Sequence, residues 1–203
     1  AKFNYVVDPD DAVRNEFRLK LGYYDEVSNE PYMGLSQQDF AADPYARYGA
    51  TAGDRMTNHR TAVALTHQVD FTPRMNLTTT VYRNDFHRIW RRADGFNSGP
   101  DVFDVLDNTA SSKGSADQIQ RQRYIDVLRG LSTFQDLHQQ YGAPLSSFRS
   151  VTNQRDFVSE GVQSVFRWDT ETGAIAHRLE AGMRVHYDQI ERHHTKDDYD
   201  LVK

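Results

Sequence analysis

The chain has 203 residues, a net charge of −5 and 38% hydrophobic residues, enough for one large domain or two small ones. Its 24 lysines and arginines are scattered and are outnumbered by 29 acidic residues, which excludes the basic surface of a nucleic-acid-binding protein. The absence of cysteine excludes disulfides, thiolate metal sites and thiol catalysis.

No stretch approaches about 18 consecutive apolar residues, so no transmembrane helix is predicted. The opening AKFNYVVDPDD lacks the basic start and long apolar run of a signal peptide. Phe3, Tyr5 and Val7 already alternate with other residues, and the final DDYDLVK stops without a turn or cap. These features predict an internal piece of a longer polypeptide.

Alternation with a period of two predicts five strands after a strand remnant at 2–7, namely 16–24, 61–71, 77–90, 157–168 and 174–188. In the last of these, AIAHRLEAGMRVHYD, the odd positions from Ile175 to Tyr187 are nearly all apolar, and the even positions are charged or small. In 77–90, we expect Thr78, Thr80, Tyr82, Phe86 and Trp90 on one face, with Arg83, Asp85 and His87 on the other.

The predicted connections alternate in length: 7–15, 72–76 and 169–173 are short, whereas 27–59, 92–154 and a third from about Gln189 are long. This layout is typical of transmembrane barrels, which have short periplasmic turns and long extracellular loops. The fold class predicted is an all-β, antiparallel transmembrane β-barrel segment of five to six strands from a larger barrel. The alternative is a soluble β-sandwich ligand-binding module, for example for carbohydrate, in which a second sheet covers residues 175–187.

The loop at 27–59 places Tyr32, Phe40, Tyr45 and Tyr48 among Arg47, Arg55 and Asp43. Aromatic rings with arginines suit an anionic, partly organic ligand, although the same residues could simply pack the loop. In the second long loop, SADQIQRQRYIDVLRG predicts a helix capped by Ser115 and stopped at Gly130. Its sparse apolar face would hold Ile119, Ile125 and Leu128.

The run ERHHTKDDYD at 191–200 contains adjacent histidines, which on a strand point to opposite faces and so do not chelate one ion easily. We therefore expect a solvated loop or strand tip and no metal site. No nucleophile motif, metalloprotease motif, phosphate-binding glycine loop or calcium loop is present, so an enzyme is not predicted.

The segment KLGYYDEVSNEPYMGLSQQDFAADPYARYGATAGDRM resembles TonB-dependent outer-membrane receptors, in particular the ferric dicitrate receptor branch. NQRDFVSEGVQSVFRW and HRLEAGMRVHYDQIERHHTKDDY resemble the same branch, and the phrases follow the family order over nearly the whole chain. The resemblance implies that 1–203 is part of a 22-stranded receptor barrel in the outer membrane of a Gram-negative bacterium. The plug domain and the remaining strands are not in this sequence.

The resemblance also implies the partners and the site. The cargo would be ferric citrate or another ferric siderophore, with no cofactor, and TonB would act through the missing plug. Arg55, in the DRM phrase, and Arg155, in the NQRDF phrase, match arginines that hold citrate carboxylates. Gln37 stands where the family has a further arginine, which makes a different carboxylate or hydroxamate chelate an alternative cargo. Arg60 and Arg88, near the predicted barrel mouth, are secondary candidates.

Overall fold

The computed structural model describes residues 1–7, 12–107 and 115–200, with only the backbone of 115–117. Six strands form one sheet in sequential order: β1 Lys2–Val7, β2 Arg14–Ser28, β3 Arg55–Thr72, β4 Met75–Phe96, β5 Phe148–Thr172 and β6 Ile175–Tyr199. The connections carry the helices α1 Gln37–Ala42, α2 Val102–Leu106, α3 Ser115–Arg129 and α4 Phe134–Tyr141, with a 3₁₀ turn at Gly49–Thr51. None of the described helices is both long enough and apolar enough to cross a bilayer.

All six predicted strands are confirmed, and most are longer than their alternating patterns. β4 continues through Ala93 to Phe96, and β5 starts at Phe148, where both faces of the strand pack into a core. Alternation disappears when both faces are buried, which is why the sequence pattern missed these extensions.

The prediction of a third long loop from about Gln189 is wrong, because β6 continues to Tyr199. Residues 189–199 are almost all polar on both faces, so they carry no hydropathy signal, but pairing with β5 keeps them extended. Near the turn Arg167 Nε lies 2.8 Å from Glu180 Oε2, and at the strand end the ring of Phe148 stacks on Tyr199 at 5.3 Å. Both contacts belong to one unbroken antiparallel register.

Two-residue turns join the long hairpins at 73–74, inside the predicted connection 72–76, and at 173–174, at the end of the predicted connection 169–173. Gly173 has φ 62°, a left-handed conformation that glycine adopts without a steric penalty. The predicted turn at 7–15 falls partly on residues 8–11, which lie outside the described part of the chain.

The chain divides into two compact units. The first comprises Ala1–Glu26, Asn58–Arg88 and Arg155–Arg192, and the second comprises Val27–Thr57, Ile89–Gln154 and His193–Lys203. The described residues of the first unit are mostly strand residues. The second contains the helices and a buried core that includes Tyr48, Ala93, Phe96, Leu128 and Phe148.

In the first unit the sheet has a polar face and an apolar face. The polar face carries the even-numbered residues of β1–β4 and β6 and the odd-numbered residues of β5. Contacts between strands fix this assignment: Tyr82 of β4 contacts Arg184 and His186 of β6, so these even-numbered residues share a face. The apolar face carries the alternate residues, including Val63, Leu65, Val81, Val162 and Val185. The expected grouping of residues by face holds in β2 to β6. In β4, the face that carries Tyr82 and its even-numbered neighbours is the polar one.

The predicted helix in the second long loop is confirmed as α3. It ends at Arg129 and is followed by Gly130, which has φ 82°; the N–H of Leu131 donates to the carbonyl of Asp126 at 2.8 Å, as in a Schellman motif. Ile125 and Leu128 are buried as expected, but Ile119 is exposed. The shorter α4 was not predicted; Thr133 and Asp136 form its capping box.

Candidate anion-binding site

Cross-strand contacts define how β4 pairs with β5. His87 Nδ1 lies 2.5 Å from Asp156 Oδ1, and the next residues along this register place Arg88 opposite Arg155. Three further contacts follow the same register: Arg83 with Glu160, Thr79 with Ser164, and Phe86 with Phe157.

The β5–β6 register places Arg155 opposite Arg192, so three arginines lie side by side on three adjacent strands. We call Arg88, Arg155 and Arg192 the arginine row. All three belong to the polar face of the first unit. Arg192 is exposed, and Arg88 and Arg155 are half-buried. Directly opposite side chains in an antiparallel sheet have Cβ atoms about 4.5–5.5 Å apart, so the three cations are concentrated in one place.

The row continues onto β3 and β2 through Asn58 and Glu26. The rings of His59 and His87 lie 5.1 Å apart, which places Asn58 opposite Arg88. Asn58 is buried and donates from Nδ2 to Glu26 Oε2 at 3.1 Å, whereas its buried Oδ1 accepts no hydrogen bond. Glu26 therefore stands at one end of the row of three arginines. This surface suits a polyanion, because guanidinium groups form bidentate, charge-assisted hydrogen bonds with carboxylates.

The five predicted ligand-binding residues divide between the units. Arg88 and Arg155 are in the arginine row, and Arg60 lies on the same face one row nearer the turns, where it donates to Asn84 Oδ1 at 2.9 Å. Gln37 and Arg55 are exposed residues of the second unit. The structure therefore brings three of the five onto one face.

Arg192 was missed because the sequence pattern placed it in a loop. A signal was nevertheless present, since extending the period of two beyond Asp188 puts Arg192 on the face of Arg184 and His186. Counting back from the 173–174 turn would then have paired it with Arg155.

In the second unit, the GLSQQDF phrase forms a helix cap. Ser36 caps α1 by accepting from the N–H of Asp39, and Gln37 is the first helical residue. Partial burial raises the pKa of the Asp39 carboxyl, but hydrogen bonds from Arg129, Tyr48 and Ser36 together outweigh burial and leave its pKa lowered. The ion pair between Asp39 and Arg129 ties this part of the chain to the end of α3.

The aromatic residues of the first long loop have different roles. Tyr48 is buried and donates to Asp39 Oδ2 at 2.7 Å, so it is a packing residue. Tyr45 is 95% exposed and Phe40 is 54% exposed. Tyr32 lies under the guanidinium of Arg92, whose carbon is 3.6 Å from the ring centroid.

Asp54 is a buried carboxyl at the start of β3. Its Oδ1 accepts from the N–H of Ala93 at 2.7 Å, and its Oδ2 is buried without a hydrogen bond. Burial raises the pKa of Asp54, although the backbone hydrogen bonds and the charges of Arg47 and Arg91 oppose this. The Asp54 proton is therefore held more tightly than in water.

His193 and His194 lie on β6, so they occupy opposite faces as the sequence implied. In the described ranges, no group of three or more His, Asp or Glu side chains is arranged to hold a metal ion.

No protein-family model matches the sequence, and no curated protein matches it. Thirteen chains of known structure match the fold. One is the ferric citrate transporter FecA in its unliganded form, which has 16% sequence identity and a TM-score of 0.57. The match covers 97% of this chain but 21% of FecA, so the chain spans about a fifth of that protein. The predicted fold class, an antiparallel β-barrel segment, is thereby confirmed.

Proposed function

We propose that this chain is part of an outer-membrane active transporter for ferric chelates, energised through TonB. The observation that carries the proposal is the arginine row, on the polar face of a sheet that has the fold of a portion of FecA. Short turns would face the periplasm and long connections the cell exterior, as in transmembrane barrels.

The apolar face supports a lipid environment. Leu179, Met183 and Val185 are 52%, 72% and 61% exposed. A soluble β-sandwich would cover these side chains with a second sheet. The strands of the described residues form one sheet, so no second layer lies over this face there.

The cargo we propose is a ferric carboxylate or hydroxamate chelate. Arginine binds carboxylates through two parallel hydrogen bonds, and its planar fork fixes their orientation. The neutral Gln37 counts against citrate itself, because the resemblance places an arginine there. The resemblance also supports coupling to TonB through a plug that fills the barrel.

The test is calorimetry on the full-length receptor with a panel of ferric chelates, comparing Arg192→Gln with Arg178→Gln. Both residues lie on the polar face of β6, but Arg178 pairs with Asp169 near the turn and outside the row. We expect Arg192→Gln and Arg155→Gln each to weaken binding about 10- to 100-fold, the effect of losing one charge-assisted contact. Arg178→Gln should bind normally. Equal affinity in all variants would remove the row as the binding site.

A substitution of Arg55 tests whether the second unit contributes to chelate binding. We expect Arg55→Ala to weaken chelate binding, and the receptor should still assemble in the membrane because the side chain is exposed. Normal affinity in this variant would confine the site to the arginine row.

A further inference from the structure

A row of apolar side chains lies next to the arginine row on the same face. Moving two residues along each strand toward the turns leads from Glu26, Arg88, Arg155 and Arg192 to Tyr24, Phe86, Phe157 and Ile190. Two residues of a strand span about 6.6 Å, so the two rows are adjacent. The rings of Phe86 and Phe157 lie 5.6 Å apart and are tilted by 41°. We call these four residues the apolar row.

The apolar row is unusual for the face on which it lies. Closer to the turns, the same face is mostly polar and carries Arg18, Gln68, Thr80, Gln163 and Arg167 around the apolar side chain of Val165. Phe86 and Phe157 do not belong to the buried core, and Ile190 and Tyr24 are 48% and 52% exposed. Aromatic and aliphatic side chains on an otherwise polar face are typical of ligand-binding surfaces.

The two rows are connected by Tyr24, whose hydroxyl donates to Glu26 Oε2 at 2.6 Å. This bond holds the Tyr24 hydroxyl on the side of the arginine row. By the same register Arg60 stands on β3 between Tyr24 and Phe86, so a fourth arginine lies beside the apolar row and close to Glu26. A ligand seated here would meet positive charge at one end and hydrocarbon at the other.

We infer that the site takes an amphiphilic ferric chelate, in which carboxylates face Arg88, Arg155 and Arg192 and an alkyl or aryl arm lies over Phe86, Phe157 and Ile190. This inference rests on the proposed function of the arginine row. The inference predicts that small, wholly polar chelates bind less tightly, because they would leave the apolar row exposed to water.

The experiment uses the full-length receptor and two ferric complexes of one hydroxycarboxylate ligand, which carries either a decanoyl or an acetyl arm. The probes share their iron coordination and their charge. We expect the decanoyl complex to bind at least tenfold more tightly, because burial of each methylene adds favourable free energy. Phe86→Ser or Phe157→Ser should remove most of that difference, so that the ratio of the two affinities falls toward one.

Two controls locate the effect. Arg192→Gln should weaken the binding of both complexes by the same factor, and Phe71→Ser, on the opposite face, should change neither. Equal binding of both probes to the wild-type receptor, with Arg192→Gln weakening both, would overturn the amphiphilic inference and leave the proposed function standing. Failure of both probes to bind the wild-type receptor would overturn the proposed function, and this inference with it.

Discussion

At the scale of single residues, Asp54 and Asp39 of the second unit show opposite pKa shifts. Asp54 is held in a buried site in which one carboxylate oxygen has no hydrogen bond, whereas Asp39 accepts hydrogen bonds from three side chains. A carboxyl with a raised folded pKa stabilises the fold most at low pH, and one with a lowered pKa does so at high pH.

For Asp54, stability is fully present below the ordinary aspartate pKa and is lost as the pH rises through the higher folded value. Asp54→Asn keeps an oxygen acceptor for the Ala93 N–H and removes the charge. We expect hydrogen exchange at the Ala93 amide, corrected for its intrinsic pH dependence, to slow in acid in the wild type and to lose this dependence in Asp54→Asn. Asp43→Asn, at an exposed position in the same loop, should behave like the wild type.

For Asp39, the stabilisation is present above the ordinary aspartate pKa and is lost as the pH falls through the lower folded value. We expect limited proteolysis of the loop at 29–54 to accelerate below about pH 4 in the wild type. In Asp39→Ala it should be fast at pH 7, because each charge-assisted hydrogen bond contributes about 1.5–3 kcal/mol. Unchanged cleavage of Asp39→Ala would show that this network does not hold the loop.

From residue identity alone, two of the three residues of the arginine row could be predicted as ligand-binding residues. Arg88 and Arg155 stand out in the sequence, but nothing at their own positions shows that they are neighbours, since that depends on the strand register across 66 intervening positions. For Arg192 the only signal is that the period of two, extended beyond Asp188, puts it on the face of Arg184 and His186. Register is decided by the turns and by contacts along whole strands, which a reading of single residues does not contain.

At the scale of elements, the strands were predictable wherever one face was apolar and the other polar. In β4 the hydropathy pattern does not show which face is apolar, because threonines and aromatic residues occupy the polar face, whereas Arg83 and Asp85 occupy the apolar face. Arg83 lies between Asp85 and Glu160, at 2.8 and 3.0 Å, so its charge is paired within the sheet. Hydropathy alternation cannot reveal a polar residue that is neutralised by a residue on the neighbouring strand.

Two glycines allow a matched test of the β5–β6 hairpin. A Cβ at Gly161 would lie 2.5 Å from the carbonyl oxygen of Val185 and 2.7 Å from the Tyr82 hydroxyl, whereas at Gly182 the nearest atoms are 3.4 and 3.5 Å away. We expect Gly161→Ala to destabilise the folded receptor by about 1–3 kcal/mol, because backbone must move. Gly182→Ala should be nearly neutral. Urea unfolding of the receptor in lipid vesicles measures both, and equal stabilities would contradict this account.

At the scale of the whole molecule, the two faces of the sheet require different surroundings: hydrocarbon next to the apolar face and water next to the polar face. Val185 and Val165 offer the same substitution on opposite faces, since Val165 lies with Arg18 and Arg167 on the polar face. We expect Val185→Lys to cost up to about 2–4 kcal/mol of folding free energy in lipid, depending on its depth, and Val165→Lys less than about 1 kcal/mol. Refolding yields in vesicles compare the two, and equal costs would argue against hydrocarbon on the apolar face.

The overall architecture was the most predictable feature, because alternating strands with short and long connections repeat the same signal several times along the chain. The second unit was the least predictable. Its helices pack their apolar residues in an irregular core that includes Phe96, Phe134 and Phe148, with ring centroids 5.0 to 5.8 Å apart. Such contacts join distant segments and leave no periodic trace in the sequence.

The order of the sheet has a practical consequence for handling this polypeptide. Among the described strands, β1 pairs only with β2 and β6 only with β5, so the two outermost strands each present a line of backbone N–H and C=O groups without partners in the sheet. β6 is 25 residues long, and exposed edges of this kind recruit further copies into continuous, insoluble ribbons. Produced by itself in water, this polypeptide should precipitate by edge-to-edge stacking.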